Sequence, residues 1–139
     1  AELPLRDLPT PEEARAALET TGDPDGPGGM RARHDLGLAE QYEGMADCPI
    51  EVWSMALGDR WGLVGLPGEV LAEYELRIRQ QSPFVTTAMI ELSLATLAYL
   101  PTDAAVDEGG YEPEWSPFGK GTEAAAVAAA VAALHDVAG

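Results

Sequence analysis

The sequence has one cysteine, Cys48, and one lysine, Lys120, among its 139 residues. A single cysteine excludes an internal disulfide and a zinc site built from four cysteines. No histidine lies near Cys48 in the sequence, so we predict that it packs as a small hydrophobic side chain and is not a nucleophile. No stretch of eighteen or more apolar residues is free of charge, which argues against a transmembrane segment.

Basic residues are few compared with acidic ones. Eight Lys and Arg residues stand against 24 Asp and Glu residues, and the formal net charge is −16. Charge of this sign and size argues against nucleic acid as a partner, because a phosphate backbone would be repelled. We expect the acidic residues to form a solvated surface, with attraction of a cationic partner as the alternative.

The length suits a single domain with a usable core. The sequence begins at Ala1 without an initiator methionine. We therefore expect that a preceding part was removed, or that the chain is a fragment or subunit of a longer precursor. A secretion signal on such a part would not be visible here, so the compartment stays open.

Hydrophobic periodicity and helix-breaking residues predict a mixed α/β fold with layers of strands and helices. Strands are predicted over 50–57, 61–66 and 84–94. Helices are predicted over 11–20, 69–80 and 122–137. The first two strands are expected to form a hairpin through the turn at Gly58-Asp59. Thr10 and Thr122 are the predicted caps of the first and last helices.

The first 49 residues differ in pattern from the rest of the chain. Residues 22–29 are rich in Gly, Pro and Asp and are predicted to form a loop. Residues 30–45 show only a weak helical pattern. We therefore predict a peripheral segment over 1–49 and one α/β region over 50–139.

Two short motifs place an oxygen donor at the end of a predicted element. Glu69 ends Val64-Gly65-Leu66-Pro67-Gly68-Glu69, a strand-to-helix corner where a carboxylate gains from the helix dipole and can face a ligand. Tyr99 ends an apolar run just before Pro101. Two such donors on adjacent elements could converge on a metal ion. From the residues alone, Glu69 is equally explained as a helix-start carboxylate, and a tyrosine such as Tyr99 is more often a packed aromatic side chain with a satisfied hydroxyl.

Five motifs follow one another between residues 66 and 112. They are Leu66-Pro67-Gly68-Glu69, Arg77-Ile78-Arg79, Ser82-Pro83-Phe84, Tyr99-Leu100-Pro101-Thr102 and Gly109-Gly110-Tyr111-Glu112. In order and spacing, the stretch from about Ile50 to Gly139 resembles the C-terminal part of the catalytic domain of the neutral/alkaline (non-lysosomal) ceramidase family and its bacterial or archaeal relatives. The chain departs from that pattern over 94–98, where relatives have an Asn-Gly pair before the tyrosine.

The resemblance implies a zinc-dependent amide hydrolase that acts on N-acyl lipids, with two histidines, a glutamate and a tyrosine as zinc ligands and a serine nearby. It implies that Glu69 and Tyr99 are two of these ligands and that Tyr99 is also catalytic, since its phenol can stabilise an oxyanion. Tyr111 and Glu112 would contact substrate at the site entrance, or else form a structural turn.

Neither histidine of the chain, His34 or His135, has a second histidine at metal-ligand spacing. The resemblance therefore implies that an upstream segment or a second chain supplies the two histidine ligands. The alternative is a non-catalytic, acidic assembly module that keeps the fold without a complete metal site. The missing histidines and the altered segment before Tyr99 favour that alternative.

Overall fold

A computed structural model describes all 139 residues and has a mixed α/β fold, as predicted. The strands are β1 Glu2–Pro4, β2 Asp47–Pro49, β3 Trp53–Leu57, β4 Trp61–Gly65, β5 Glu69–Val70, β6 Thr86–Ile90 and β7 Tyr99–Leu100. The helices are α1 Pro11–Thr20, α2 Pro27–Gln41, α3 Ala72–Gln81, α4 Asp103–Glu108, α5 Tyr111–Trp115 and α6 Thr122–Ala138. None of these helices combines the length and apolar character that crossing a lipid bilayer requires.

The strands form three small sheets. β3 and β4 make the predicted antiparallel hairpin, and β6 joins β4 in parallel to complete a three-stranded sheet. The connection between β4 and β6 contains α3, as a parallel pair requires a crossover. β5 pairs with β7 in parallel, and β1 pairs with β2 antiparallel. The crossover thus carries β5, and with it Glu69, to the end of the main sheet.

Helices α3 and α6 pack against one face of the three-stranded sheet. Gly62 allows this close approach, because a Cβ atom there would lie 2.4 Å from the Phe84 ring and 2.9 Å from the Leu134 side chain. The Ser54 hydroxyl donates a hydrogen bond to the Ala133 carbonyl at 2.6 Å, which ties β3 to α6. The framework of the fold is therefore the three-stranded sheet with α3 and α6 on one of its faces.

The first 49 residues, predicted to be peripheral, contribute four buried side chains to the same core: Leu3, Leu38, Tyr42 and Cys48. The Arg6 guanidinium donates through Nε to the Ser116 carbonyl at 2.8 Å, so β1 and its continuation hold the C-terminal part of the chain. Cys48 is buried and free, as the sequence predicts.

The predicted helix 69–80 is wrong at its start. α3 begins at Ala72, and Glu69 lies in the extended strand β5. Glu69 therefore does not begin a helix and gains no stabilisation from a helix dipole. The predicted strand 84–94 is too long at both ends, since β6 covers Thr86–Ile90. Beyond it the backbone leaves extended conformation, and Leu92 and Leu94 have φ angles of 52° and 70°.

The remaining predicted boundaries differ less. The helix 11–20 is confirmed, and Thr10 and Glu13 form a reciprocal capping box. The predicted strand 50–57 begins at Trp53, and the strand 61–66 ends at Gly65. The helix 122–137 is confirmed, but its N-cap is Gly121, and the buried Thr122 hydroxyl donates to the Gly119 carbonyl at 2.7 Å.

The predicted loop 22–29 ends earlier than expected. α2 begins at Pro27, because proline is well suited to the first turn of a helix, where its missing N–H is not needed. Gly28 and Gly29 are helical as well. A Cβ atom at Gly29 would lie 2.1 Å from the Pro24 carbonyl oxygen, so the preceding turn folds tightly onto the helix.

Candidate functional site

Glu69 and Tyr99 stand opposite each other in the parallel pair β5–β7. The Glu69 N–H donates to the Ala98 carbonyl at 3.0 Å, and the Leu97 N–H donates to the Pro67 carbonyl at 2.9 Å. Side chains opposite each other on neighbouring strands point to the same side of the sheet. The two motifs that the sequence separates by thirty residues are therefore adjacent in space.

Gly68 allows the two motifs to approach this closely. A Cβ atom at Gly68 would lie 2.7 Å from the Ala98 carbonyl oxygen and 2.8 Å from Leu100 Cγ. Both contacts are shorter than a side chain tolerates, so any larger residue would push β7 away from β5. Glycine is therefore the residue that fits at position 68 without moving β7 away from β5.

The chain around Tyr99 is fixed by buried hydrogen bonds. The Ser116 hydroxyl donates to the Tyr99 carbonyl at 2.7 Å, and the Tyr74 hydroxyl donates to the Pro101 carbonyl at 2.8 Å. The Thr102 hydroxyl accepts from the Ala105 N–H at 3.0 Å and caps α4. The backbone that presents the Tyr99 side chain is therefore held on both sides.

The side chains of Glu69 and Tyr99 are half-buried and interact electrostatically. The pKa of the Tyr99 phenol is raised, first by desolvation, then by the negative charge of Glu69 and by a hydrogen bond to its carboxylate. The charge of Glu112 and the neighbouring Tyr111 act in the same direction on this pKa. The Tyr99 phenol is therefore protonated at neutral pH.

An array of aromatic rings extends from Tyr99 along α5. The Tyr99 and Tyr111 rings meet edge to face, with centroids 5.9 Å apart and an interplanar angle of 73°. The Tyr111 and Trp115 centroids are 5.8 Å apart, and the Trp115 and His34 centroids 4.6 Å apart. The Arg31 guanidinium lies 5.5 Å from the centre of the Trp115 ring, within cation–π range.

The structure brings the four predicted site residues into one neighbourhood. Tyr111 and Glu112 begin α5, and the glycine pair before them provides the sharp turn, with φ of 75° at Gly109 and 123° at Gly110. Tyr111 is 60% exposed. Its contact with Tyr99 places Tyr111 at the border of the Glu69–Tyr99 pair, and Glu112 is the next residue of α5.

The two histidines of the chain lie outside this pair. His34 stacks on Trp115, its Nε2 atom is buried without a hydrogen-bond partner, and desolvation lowers its pKa. His135, in the last turn of α6, lies with Nε2 at 3.3 Å from the Gln81 carbonyl. None of these contacts connects His34 or His135 to Glu69 or Tyr99.

Two other motifs, Arg77-Ile78-Arg79 and Ser82-Pro83-Phe84, make contacts that stabilise the fold and lie apart from Glu69 and Tyr99. Ser82 is the C-cap of α3 and its hydroxyl accepts from the Phe84 N–H at 3.2 Å. Arg77 pairs with the buried Glu123 at 2.8 Å, and Arg79 pairs with Glu75 at 2.7 Å. Ser82 therefore ends a helix, and Arg77 and Arg79 form ion pairs.

The donor set at the candidate site is small. No group of three or more His, Cys, Asp or Glu side chains in the chain is arranged to hold a metal ion. Glu69 and Tyr99 would supply one carboxylate and one phenol oxygen, and carboxylates are among the ligands that zinc takes in proteins. A four-ligand zinc site would need two further donors.

The cavities of the molecule lie elsewhere. The largest, of about 400 Å³, is formed by residues 5–11 together with the end of α2 and the turn after it. Neither Glu69 nor Tyr99 lines any of the five cavities. The Glu69–Tyr99 pair thus lies on an open surface of this chain.

Trp115 and Arg31 complete the surroundings of Tyr111 but were not predicted as site residues. Tyr111 and Trp115 are four residues apart on a helix, a spacing that puts both rings on the same face. That spacing was the signal available in the sequence. The contact with His34 and Arg31 depends on the packing of α2 and has no local signal.

Comparisons with protein-family models, with curated proteins and with solved structures found no match.

Proposed function

We propose that this chain is part of a zinc-dependent amide hydrolase similar to the neutral/alkaline ceramidase family, and that it contributes Glu69 and Tyr99 as metal ligands. The observation that supports the proposal is the pairing of these two residues on β5 and β7. Their side chains leave neighbouring strands on one side, where two oxygen atoms can reach one cation.

The residues of the chain have distinct roles in this proposal. Glu69 supplies a fixed negative charge, and Tyr99 supplies a phenol that donates to a developing oxyanion. Tyr111, Trp115 and the backbone of Gly68 hold the Tyr99 ring and strand in place. Zinc, when bound, would acidify a water molecule or polarise the substrate carbonyl.

The substrate and the partner follow from the same proposal. The substrate class is an N-acyl lipid or another small amide, and Tyr111 and Glu112 border the point where it would enter. An upstream segment or a second chain would bring two histidines to the open side of Glu69 and Tyr99.

The test is zinc content and amidase activity of the full-length protein or purified complex. Glu69→Gln and Tyr99→Phe keep side-chain size and remove the charge or the hydroxyl. We expect Glu69→Gln to lose zinc by elemental analysis and both variants to lose at least about 100-fold in hydrolysis of an N-acyl amide, as removal of a transition-state stabilising group does.

Two matched variants serve as controls. Glu73→Gln removes an exposed carboxylate on the first turn of α3, and Tyr111→Phe removes an exposed hydroxyl. Both should keep full zinc content. Unchanged zinc in Glu69→Gln would contradict the proposal and favour the acidic assembly module instead.

A further inference from the structure

The three-stranded sheet has one face without a helix. Side chains alternate between the two faces of a strand, and the face that carries Ser54, Gly62 and Val64 packs against α3 and α6. The set on the opposite face is apolar except for Thr86 at the start of β6. We call it the open face; its members are Trp53, Met55, Leu57, Trp61, Leu63, Ala88 and Ile90.

The open face is accessible to solvent. Met55 is 45% exposed, Leu57 53%, Trp61 51% and Ile90 42%. Leu92 and Leu94, just beyond β6, are exposed as well and lie in the segment with positive φ angles. Large apolar side chains scattered singly on a surface are ordinary, whereas the largest contiguous apolar patch of a monomer is often functional.

The open face continues toward the candidate site. The Leu66 N–H donates to the Ile90 carbonyl at 3.0 Å, and the Leu92 N–H donates to the Gly68 carbonyl at 3.1 Å. These hydrogen bonds extend the pairing of β4 and β6 up to the residue before Glu69.

The size of the open face bears on what covers it. Three strands of five residues occupy roughly 240 Å² at ordinary strand spacing. Stable interfaces cover on the order of 800 Å² per partner. A stable partner must therefore extend past the open face onto the residues around it.

Those surrounding residues are mainly acidic. Glu51 precedes β3, Asp59 and Arg60 form the turn between β3 and β4, and Glu91 follows β6, all of them exposed. The whole chain carries a net charge of −16. A second copy would bring acidic residues against acidic residues, which is unfavourable.

We propose that the open face is the docking surface for a basic polypeptide partner, apolar at the centre of its contact surface and rich in Lys or Arg around it. The proposal goes beyond the zinc site and does not depend on it. It rests on the exposed apolar side chains, the acidic residues around them and the area that a stable contact needs.

The test uses three fluorescently labelled amphipathic helical peptides of about 18 residues, each about five turns long. The first has a leucine face and lysines elsewhere, the second a leucine face and glutamates, and the third serines in place of the leucines of the first. Binding to the intact chain is measured by fluorescence anisotropy at low and high salt. We expect the Leu/Lys peptide to bind, the Leu/Glu peptide not to bind, and the Ser/Lys peptide to bind about tenfold more weakly or worse.

Leu57→Lys places a charge in the open face, and Leu76→Lys adds the same charge at a residue of α3 that is 56% exposed. Circular dichroism checks that both variants fold. We expect Leu57→Lys to weaken binding of the Leu/Lys peptide about tenfold or more, and Leu76→Lys to change it by less than about twofold.

Three results would overturn the proposal: equal binding of the acidic peptide, equal loss in Leu76→Lys, or a dimer in sedimentation equilibrium that Leu57→Lys dissociates. The last result would assign the open face to a second copy. None of these measurements involves zinc. If the proposed hydrolase function fails its own test, the outcome of the peptide-binding test is therefore unaffected.

Discussion

The Tyr74 hydroxyl donates a hydrogen bond to the Pro101 carbonyl at 2.8 Å, and both residues are fully buried. The bond joins α3, which follows Glu69, to the chain that follows Tyr99. Burial raises the pKa of Tyr74, so the hydroxyl stays protonated and remains a donor. The two sides of the candidate site are therefore connected through the core as well as through β5 and β7.

Tyr74→Phe should lower the free energy of unfolding by roughly 1–3 kcal/mol, because the buried Pro101 carbonyl would lose its partner. Urea denaturation measures the change. Tyr111→Phe removes a hydroxyl from an exposed tyrosine and should stay within about 0.5 kcal/mol of the wild type. Equal effects of the two substitutions would contradict this reading of the Tyr74 hydrogen bond.

Gly68→Ala should destabilise the chain by roughly 1–3 kcal/mol, since the added Cβ atom would press against the Ala98 carbonyl and Leu100. Gly37→Ala is the matched control. Gly37 lies in α2 with no atom near its added Cβ position, so alanine there should stabilise by up to about 1 kcal/mol. Denaturation curves of the two variants should therefore move in opposite directions.

Glu69→Gln should lower the pKa of the Tyr99 phenol toward its ordinary value, because it removes the negative charge that opposes ionisation. The measurement is a pH titration of the chain with ¹³C-labelled tyrosine, followed by NMR. Glu73→Gln, on the exposed first turn of α3, is the control and should leave the Tyr99 titration unchanged. An unchanged Tyr99 pKa in Glu69→Gln would show that the two side chains do not interact in solution.

Stability should fall in alkaline solution because of Tyr42. Burial first, and then the neighbouring Cys48, raise the pKa of Tyr42 from 10.0 to about 12. A group whose pKa is raised by folding contributes stability that is complete below its unfolded pKa and is lost as pH rises through its folded pKa. The free energy of unfolding should therefore decline between pH 10.0 and about 12.

Tyr42→Phe tests the cause of this decline. The variant should lose less stability than the wild type between pH 10.0 and about 12, measured by urea denaturation at each pH. Tyr111→Phe, which changes an exposed tyrosine, should follow the wild-type curve. An identical decline in Tyr42→Phe would assign the effect to other groups.

Local signals predicted part of this fold well. The helix from Pro11 to Thr20 was predicted with the correct ends, because its cap, its first-turn proline and its acidic residues all lie within four residues of its start. The hairpin of β3 and β4 was predicted for the same reason, since Gly58 and Asp59 mark its turn. In these elements the sequence neighbours are also the structural neighbours.

Nonlocal contacts explain most of the errors. Glu69 and Val70 are extended because β7 pairs with them, and nothing before Ala72 signals that pairing. The backbone turns at Leu92 and Leu94 even though leucine has no preference for positive φ, so an apolar run was mistaken for continued strand. The motif sequences predicted that Glu69 and Tyr99 converge, whereas the contacts of Trp115 with Arg31 and His34 depend on the tertiary packing of α2.

The first strand has a consequence for folding on the ribosome. The Gly119 N–H donates to the Pro4 carbonyl at 3.0 Å, and the Arg6 side chain donates to the Ser116 carbonyl, across more than one hundred residues. The N-terminal strand therefore leaves the exit tunnel long before its C-terminal partners are synthesised. Contacts so distant in sequence slow folding, because a large loop must close before they form. A nascent chain stopped before Ser116 should be more sensitive to protease than a chain that extends past Gly119.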